Sequence, residues 1–107
     1  MADDAAEKRR EREIKGMLRE ALRRTGPLLR GYKVFLFGSR AAGTAKPRSD
    51  FDVGVYGDAP LSLKAFYEIE DLLEELPTLY KVDWVDLNRA GADFRQRALE
   101  HAEVLYE

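Results

Sequence analysis

A short apolar run that ends directly at a glycine and a serine most limits how this chain can fold. Val34–Phe37 contains four consecutive apolar residues, and Gly38 and Ser39 follow at once. The run is far shorter than the roughly 20 apolar residues of a membrane-spanning helix. Continuous β-prone residues are instead typical of a strand covered on both faces. The run therefore predicts a sheet with helices packed against it.

Helical periodicity appears on both sides of this strand. Apolar residues at steps of three and four predict an amphipathic helix over about residues 5–25, which Gly26 and Pro27 end. We expect the charged start of the chain, residues 1–13, to fray. The same kind of spacing predicts a helix over 63–76. A brief helical segment over 40–44, with Ser39 as its cap, and a last helix over 92–101 are also predicted.

Further strands are predicted from β-prone residues between turn signals. They cover 50–56, 82–87 and, as a short edge strand, 104–106. The 107 residues fit one compact domain, 1–107. The predicted fold class is α+β (α/β), a small mixed sheet flanked by helices.

Composition excludes several kinds of chemistry. Cysteine is absent, which excludes disulfide bonds, thiolate zinc sites and cysteine nucleophiles, and His101 as the only histidine excludes a His-rich metal cluster. Any metal ion must therefore be held by carboxylates, and residues 34–107, with fourteen acidic side chains against eight basic ones, are where a hard cation would bind. The charged stretch 1–12 lacks the apolar core of a secretory signal, and we expect a cytoplasmic protein with no membrane contact.

The N-terminal third has the opposite charge balance. Residues 1–33 carry ten basic and six acidic side chains, whereas the whole chain has a net charge of −2. Because the acids are interspersed among the bases, we interpret this segment as a solvated helix face or a docking surface for a partner. Direct nucleic-acid binding is not expected.

Gly38 and Ser39 form the first of three features that indicate a site. The glycine allows a ligand close to the backbone, and the serine places a hydroxyl beside the unpaired amides of a helix start. This combination is typical of an anion site. The alternative is an ordinary strand-to-helix turn in which Ser39 is the N-cap.

The second feature is a pair of aspartates ten residues further on. Asp50 and Asp52 leave one side of a strand, while Phe51 and Val53 enter the core. Two adjacent carboxylates repel each other unless a cation lies between them, and Mg²⁺ with a phosphate suits such a pair. The alternative is an exposed acidic strand start.

The third feature is Asp83, which stands in the middle of an otherwise apolar strand. A buried charge without a partner is costly, and a neighbouring metal ion or a reacting hydroxyl would explain it. Asp86 lies three residues further on and faces the other way. We interpret Asp86 as a strand-end or turn residue.

Together these features resemble the minimal nucleotidyltransferases of the DNA polymerase β superfamily. The similarity is carried by Phe37–Ala45, Ser49–Val53 and Val82–Leu87, extends over about residues 14–107 and is strongest over 34–55. The chain departs from the family pattern at Ala42, where arginine is frequent, and at Gly54, where an aliphatic residue is commoner. Neither position is a presumed metal ligand.

The resemblance implies an activity and roles for individual residues. The family transfers a nucleoside monophosphate from a nucleoside triphosphate, here expected to be ATP, to an acceptor hydroxyl and releases pyrophosphate. Gly38 and Ser39 would bind the phosphates, and Arg40 would either join them or only keep the loop solvated. The metal and catalytic residues would be Asp50, Asp52 and Asp83, which together hold two Mg²⁺ ions.

The resemblance also implies a partner. Small family members are paired with a separate helical protein, either a substrate-binding subunit or a HEPN toxin that is nucleotidylated and silenced. The expected function is Mg²⁺-dependent transfer to a hydroxyl on such a partner, as the antitoxin of a toxin–antitoxin pair. The alternative is a non-catalytic, nucleotide-binding antitoxin that acts by contact alone.

Overall fold

The computed structural model describes residues 2–107, with side chains from Ala5 onward. Its helices and strands, in chain order, are α1 (Ala2–Arg24), β1 (Lys33–Phe37), α2 (Gly38–Ala42), β2 (Phe51–Tyr56), α3 (Leu63–Glu74), β3 (Val82–Asp86), α4 (Ala92–Glu100) and β4 (Glu103–Tyr106). One 3₁₀ turn, Gly26–Leu29, follows α1. The predicted element order is confirmed, including the short strand near residue 104.

The four strands form one mixed sheet in the order β3-β2-β1-β4. β1 pairs antiparallel with β2 and with β4, whereas β2 and β3 are parallel. The parallel pair is joined by α3, as a crossover between parallel strands requires. The predicted small mixed sheet flanked by helices is therefore confirmed.

Strand alternation gives the two faces of the sheet different coverings. Phe51, Val53 and Val55 of β2 are fully buried in the main core, which also contains Leu18 of α1 and Ile69 of α3. A smaller cluster forms on the other face from residues of β1, the end of β3 and α4: Phe37, Leu87 and Ala98. The face beneath α4 thus has the thinner apolar cover.

Two helix starts differ from their predicted form. α2 begins at Gly38, and no side chain caps it, so Ser39 lies within the helix and is not its N-cap. Ser62 instead caps α3, where its hydroxyl accepts a hydrogen bond from the amide of Ala65 at 3.2 Å. Leu63, predicted on the buried stripe of α3, is 55% exposed because it lies in the first turn.

α1 is the longest helix and begins three residues before the predicted start. Fraying of residues 1–13 stays a prediction, and Met1 lies outside the described residues. Lys15 and Arg19 of α1 both bind Glu103 of β4, at 3.0 and 2.9 Å, which ties the helix to the edge of the sheet. Across residues 2–107, no helix has the length and apolarity needed to cross a membrane.

Gly54, an unusual residue for this strand, has a packing explanation. A Cβ atom at Gly54 would lie 2.8 Å from Leu87 Cδ1 and 3.1 Å from Phe37 Cε1. The side chains of Leu87 and Phe37 therefore occupy the space that an aliphatic residue would take on this face of β2.

Gly54→Ala should destabilise the protein by about 1–3 kcal/mol, because the added methyl group overpacks the cluster beneath α4. Gly16→Ala is the matched control: a Cβ at Gly16 meets nothing within 4 Å and lies inside α1. That change should stabilise the protein by about 0.5–1 kcal/mol. Urea unfolding measures both, and equal stability of Gly54→Ala and wild type would contradict the packing explanation.

Candidate active site

The sheet register brings two of the predicted aspartates side by side. Asp52 of β2 is the direct partner of Asp83 on the parallel strand β3. Because Phe51 and Val53 point into the main core, as predicted, Asp52 points to the opposite face, beneath α4. Residues in register on adjacent strands share a face, so the carboxylates of Asp52 and Asp83 lie next to each other.

The pKa of Asp52 is raised above its ordinary value. Burial is the largest cause, followed by the negative charges of Asp83 and Asp50 and a hydrogen bond with Asp83, whereas Lys81 acts in the opposite direction. The Lys81 ammonium is 3.4 Å from Asp83 Oδ1 and largely exposed. Negative charge is thus concentrated here beyond what this one exposed lysine balances.

Gly38 lies against the Asp52 carboxylate. It follows β1 directly, has a φ of +71°, and a Cβ atom there would collide with Asp52 Oδ2. Only glycine satisfies both the positive φ and this close approach. The structure thus brings Gly38, Asp52 and Asp83 together, with Ser39 next to them in α2 and Asp50 exposed one residue before β2.

Asp83 is less buried than its apolar neighbours suggested. β3 is an edge strand of the sheet, and the Asp83 side chain is 36% exposed. The buried acid of this strand is Asp86, which accepts hydrogen bonds from the amides of Leu61 at 2.8 Å and Asn88 at 2.9 Å. The interpretation of Asp86 as a structural strand-end residue agrees with these contacts.

The assignment of Arg40 to the phosphate site requires correction. Its side chain is only 1% exposed, forms ion pairs with Glu7 and Glu11, and lies over the ring of Phe51. Phe51 points into the main core, on the face opposite Asp52. The guanidinium is therefore enclosed by protein on the other side of β2, and it is neither a solvated loop residue nor placed beside Gly38 and Asp52.

A cleft of about 730 Å³ lies over these residues. Its floor includes Gly38, Asp52 and Asp83, and its walls come from α3 and α4. This volume lies within the range of small-molecule sites. Wall residues that sequence reasoning missed include Phe94, which is 42% exposed, and Arg97. Their spacing of three residues on one helix was the available signal.

The donor set fits a divalent cation that arrives with phosphate. Within the part of the chain whose side chains are described, no three His, Cys, Asp or Glu residues form a complete metal cluster. Mg²⁺ does not need one, since it is usually held by one or two carboxylates together with water and substrate phosphates. Asp52 and Asp83, with Asp50 nearby, match that requirement.

The fold and the site define a nucleotidyltransferase-like domain, and comparison with known proteins identifies the family. The model of the family described as "Polymerase beta, Nucleotidyltransferase" matches residues 30–107. The match covers well over half of the chain. The chain therefore belongs to the polymerase beta nucleotidyltransferase family.

The chain is similar to one relative in sequence and to chains of two solved structures. A probable protein adenylyltransferase, MntA, from Haemophilus influenzae is 33% identical over 69 residues, which cover 64% of this chain. The chain spans 60% of that relative's length. A toxin–antitoxin complex crystallised with AMP-PNP contains a chain with a TM-score of 0.61 and 25% identity, matched over 82% of this chain and 72% of that one. A chain of the complex between the tri-AMPylated HEPN toxin of Shewanella oneidensis and an MNT antitoxin has a TM-score of 0.61 and 25% identity. It is matched over 90% of this chain and 71% of that one.

Asp52→Asn should raise the free energy of unfolding at pH 7 without divalent ions, by up to about 1 kcal/mol, because it removes like-charge contact with Asp83. Since the folded-state pKa of Asp52 is raised, the wild-type carboxylate takes up a proton as the pH falls toward that pKa. The advantage of the variant should therefore shrink in acid.

Urea unfolding in EDTA at a series of pH values measures this difference. Asp58→Asn, a change at an exposed turn residue, is the control and should show no such pattern. An Asp52→Asn advantage that grows as the pH falls, or no advantage at pH 7, would show that the aspartates do not repel each other.

Proposed function

We propose that this protein is a Mg²⁺-dependent nucleotidyltransferase that transfers AMP from ATP to a hydroxyl group on a helical partner protein of the HEPN type. The observation that carries the proposal is the juxtaposition of Gly38, Asp52 and Asp83 on the floor of one open cleft. In-line transfer of a phosphoryl group requires positioned phosphates and neutralised charge. A glycine that lets phosphate come close to the backbone, beside paired carboxylates that can hold metal ions, meets both requirements.

The donor and the acceptor are proposed from the similar proteins. The Haemophilus influenzae relative is described as a probable protein adenylyltransferase, and one structural neighbour was crystallised with AMP-PNP. Another neighbour is a complex in which the HEPN toxin is AMPylated. These descriptions support ATP as the donor, a protein as the acceptor, and an antitoxin role for this chain.

The chain's own residues have distinct tasks in this reaction. Gly38 lets the triphosphate approach the backbone, and the Ser39 hydroxyl donates a hydrogen bond to its β- or γ-phosphate. A carboxylate oxygen of Asp83 accepts the proton of the acceptor hydroxyl. The acceptor oxygen then bonds to the α-phosphorus, the bond between that phosphorus and the bridging oxygen breaks, and pyrophosphate leaves.

Asp50, Asp52 and Asp83 would hold two Mg²⁺ ions, whose chemistry is to neutralise charge on the attacking and leaving oxygens. Burial and the neighbouring carboxylates raise the pKa of Asp52, and a bound cation would offset this effect by favouring the charged carboxylate. No cysteine is present, and His101 is not among the residues that line the cleft, so carboxylates are the natural ligands.

Incubation of the protein with α-labelled ATP, Mg²⁺ and a helical HEPN-type partner tests the proposal. Label should appear on the partner, and the double variant Asp50→Asn, Asp52→Asn should lower the transfer rate at least about a hundredfold, because it removes stabilisation of the transition-state charge. Chelation of divalent ions with EDTA should abolish transfer by the wild type.

Asp58→Asn is the matched control, since it removes an exposed carboxylate away from the cleft, and it should transfer at the wild-type rate. Absence of label on the partner, or equal labelling by the double variant, would refute adenylyl transfer through these aspartates. If the double variant still neutralised a toxic partner fully, the protein would be an antitoxin that acts by binding alone.

A further inference from the structure

Arg40 is the centre of a buried cluster that reaches several elements of the site. Its Nη1 atom is 3.1 Å from Glu7 Oε1 and 3.0 Å from Glu11 Oε2, both on α1. Its Nε and Nη2 atoms both donate to the carbonyl oxygen of Ser49, at 3.2 and 2.8 Å. All of these bonds are made to protein atoms, and the side chain is only 1% exposed.

Two aromatic rings complete the enclosure. The guanidinium carbon of Arg40 lies 4.4 Å from the ring centroid of Phe51 and 5.2 Å from that of Tyr80, and the two rings meet edge to face. The Tyr80 hydroxyl in turn donates toward the Glu7 carboxylate at 3.4 Å. A planar guanidinium suits this combination of forked hydrogen bonds and ring contact, whereas a lysine ammonium does not.

The cluster touches the chain beside each part of the candidate site. Arg40 lies in α2, one residue after Ser39, and its carbonyl acceptor Ser49 directly precedes Asp50. Phe51, the first residue of β2, stands between Asp50 and Asp52. Tyr80 lies three residues before Asp83, and the Phe51 amide donates to the Lys81 carbonyl oxygen at 2.9 Å.

We propose that Arg40 is a positioning residue and not a phosphate ligand. Paired with Glu7 and Glu11, it holds the backbone at Ser49 and thereby sets the place of Asp50 and Asp52 relative to Gly38 and Asp83. It acts from the face of β2 opposite Asp52, through the backbone. The effect of Arg40 on catalysis rests on the proposed transfer reaction. Its effect on metal binding can be tested without that reaction.

α1 acquires a role through this cluster. The family model matches residues 30–107, whereas the two carboxylates that neutralise Arg40 belong to α1. A helix outside the matched domain thus completes the support of the aspartates. Loss of Glu7 or Glu11 would remove one of the two carboxylates that pair with the buried guanidinium, next to the proposed metal-binding segment.

Mn²⁺ binding to the protein alone, followed by electron paramagnetic resonance, measures the placement of the carboxylates. Arg40→Lys keeps the charge but loses the forked bond to Ser49, and it should weaken Mn²⁺ binding about 10- to 100-fold. With partner and ATP present at saturating Mg²⁺, kcat should fall at least about tenfold while KM for ATP stays near its wild-type value. Arg40→Met should lose more than Arg40→Lys on both measures.

Glu11→Gln tests the same cluster through α1 and decides the outcome if the Arg40 variants do not fold. It should weaken Mn²⁺ binding in the same direction as Arg40→Lys, because it removes one of the two charges paired with Arg40. Glu13→Gln, an exposed glutamate on the same helix, is the matched control and should bind Mn²⁺ as the wild type does.

Three results would overturn the inference. Folded Arg40→Lys with wild-type Mn²⁺ affinity and kcat would make the cluster merely structural. A raised KM for ATP with unchanged Mn²⁺ affinity would make Arg40 a direct phosphate ligand. Equal losses in Glu11→Gln and Glu13→Gln would trace the effect to the charge of α1 in general. A wild type that binds Mn²⁺ yet transfers no AMP would refute the proposed function alone.

Discussion

The contact between the carboxylates of Asp52 and Asp83 is the constraint on which the rest of the site depends. Two like charges in register on adjacent parallel strands weaken the sheet, and burial makes the ionised form of Asp52 costlier still. The opposite face of β2 compensates, since Phe51, Val53 and Val55 are fully buried there. One strand therefore anchors the sheet on one side and presents repelling acids on the other, an arrangement that a divalent cation stabilises.

Short-range patterns were sufficient to predict the order of the helices and strands. The two-residue period of β2 separates Phe51 and Val53 from Asp50 and Asp52, and this separation holds in any sheet that includes the strand. Gly38 was equally accessible to sequence reasoning, because a glycine directly after a buried strand indicates a close approach. The structure adds the reason for the glycine: its neighbour is the Asp52 carboxylate itself.

The burial of Arg40 and the exposure of Asp83 could not be predicted from the sequence. Adjacency to Ser39 suggested that Arg40 faces phosphate, but the face that α2 presents depends on Glu7 and Glu11, about thirty residues away in the chain. The exposure of Asp83 likewise depends on which strand forms the edge of the sheet, a property of the strand order and not of the residues around it. Both outcomes are set by contacts between distant segments, which local periodicity does not encode.

The position of Arg40 also changes how the charge of a triphosphate can be balanced. With that guanidinium enclosed in the main core, the basic side chains lining the cleft are Lys81, which already pairs with Asp83, and Arg97 of α4. The floor beneath them is acidic, so a nucleotide without cations would meet net repulsion there. In the proposed reaction, cation and nucleotide would therefore bind this site as interdependent ligands, because the carboxylates favour a triphosphate that carries its metal ion with it.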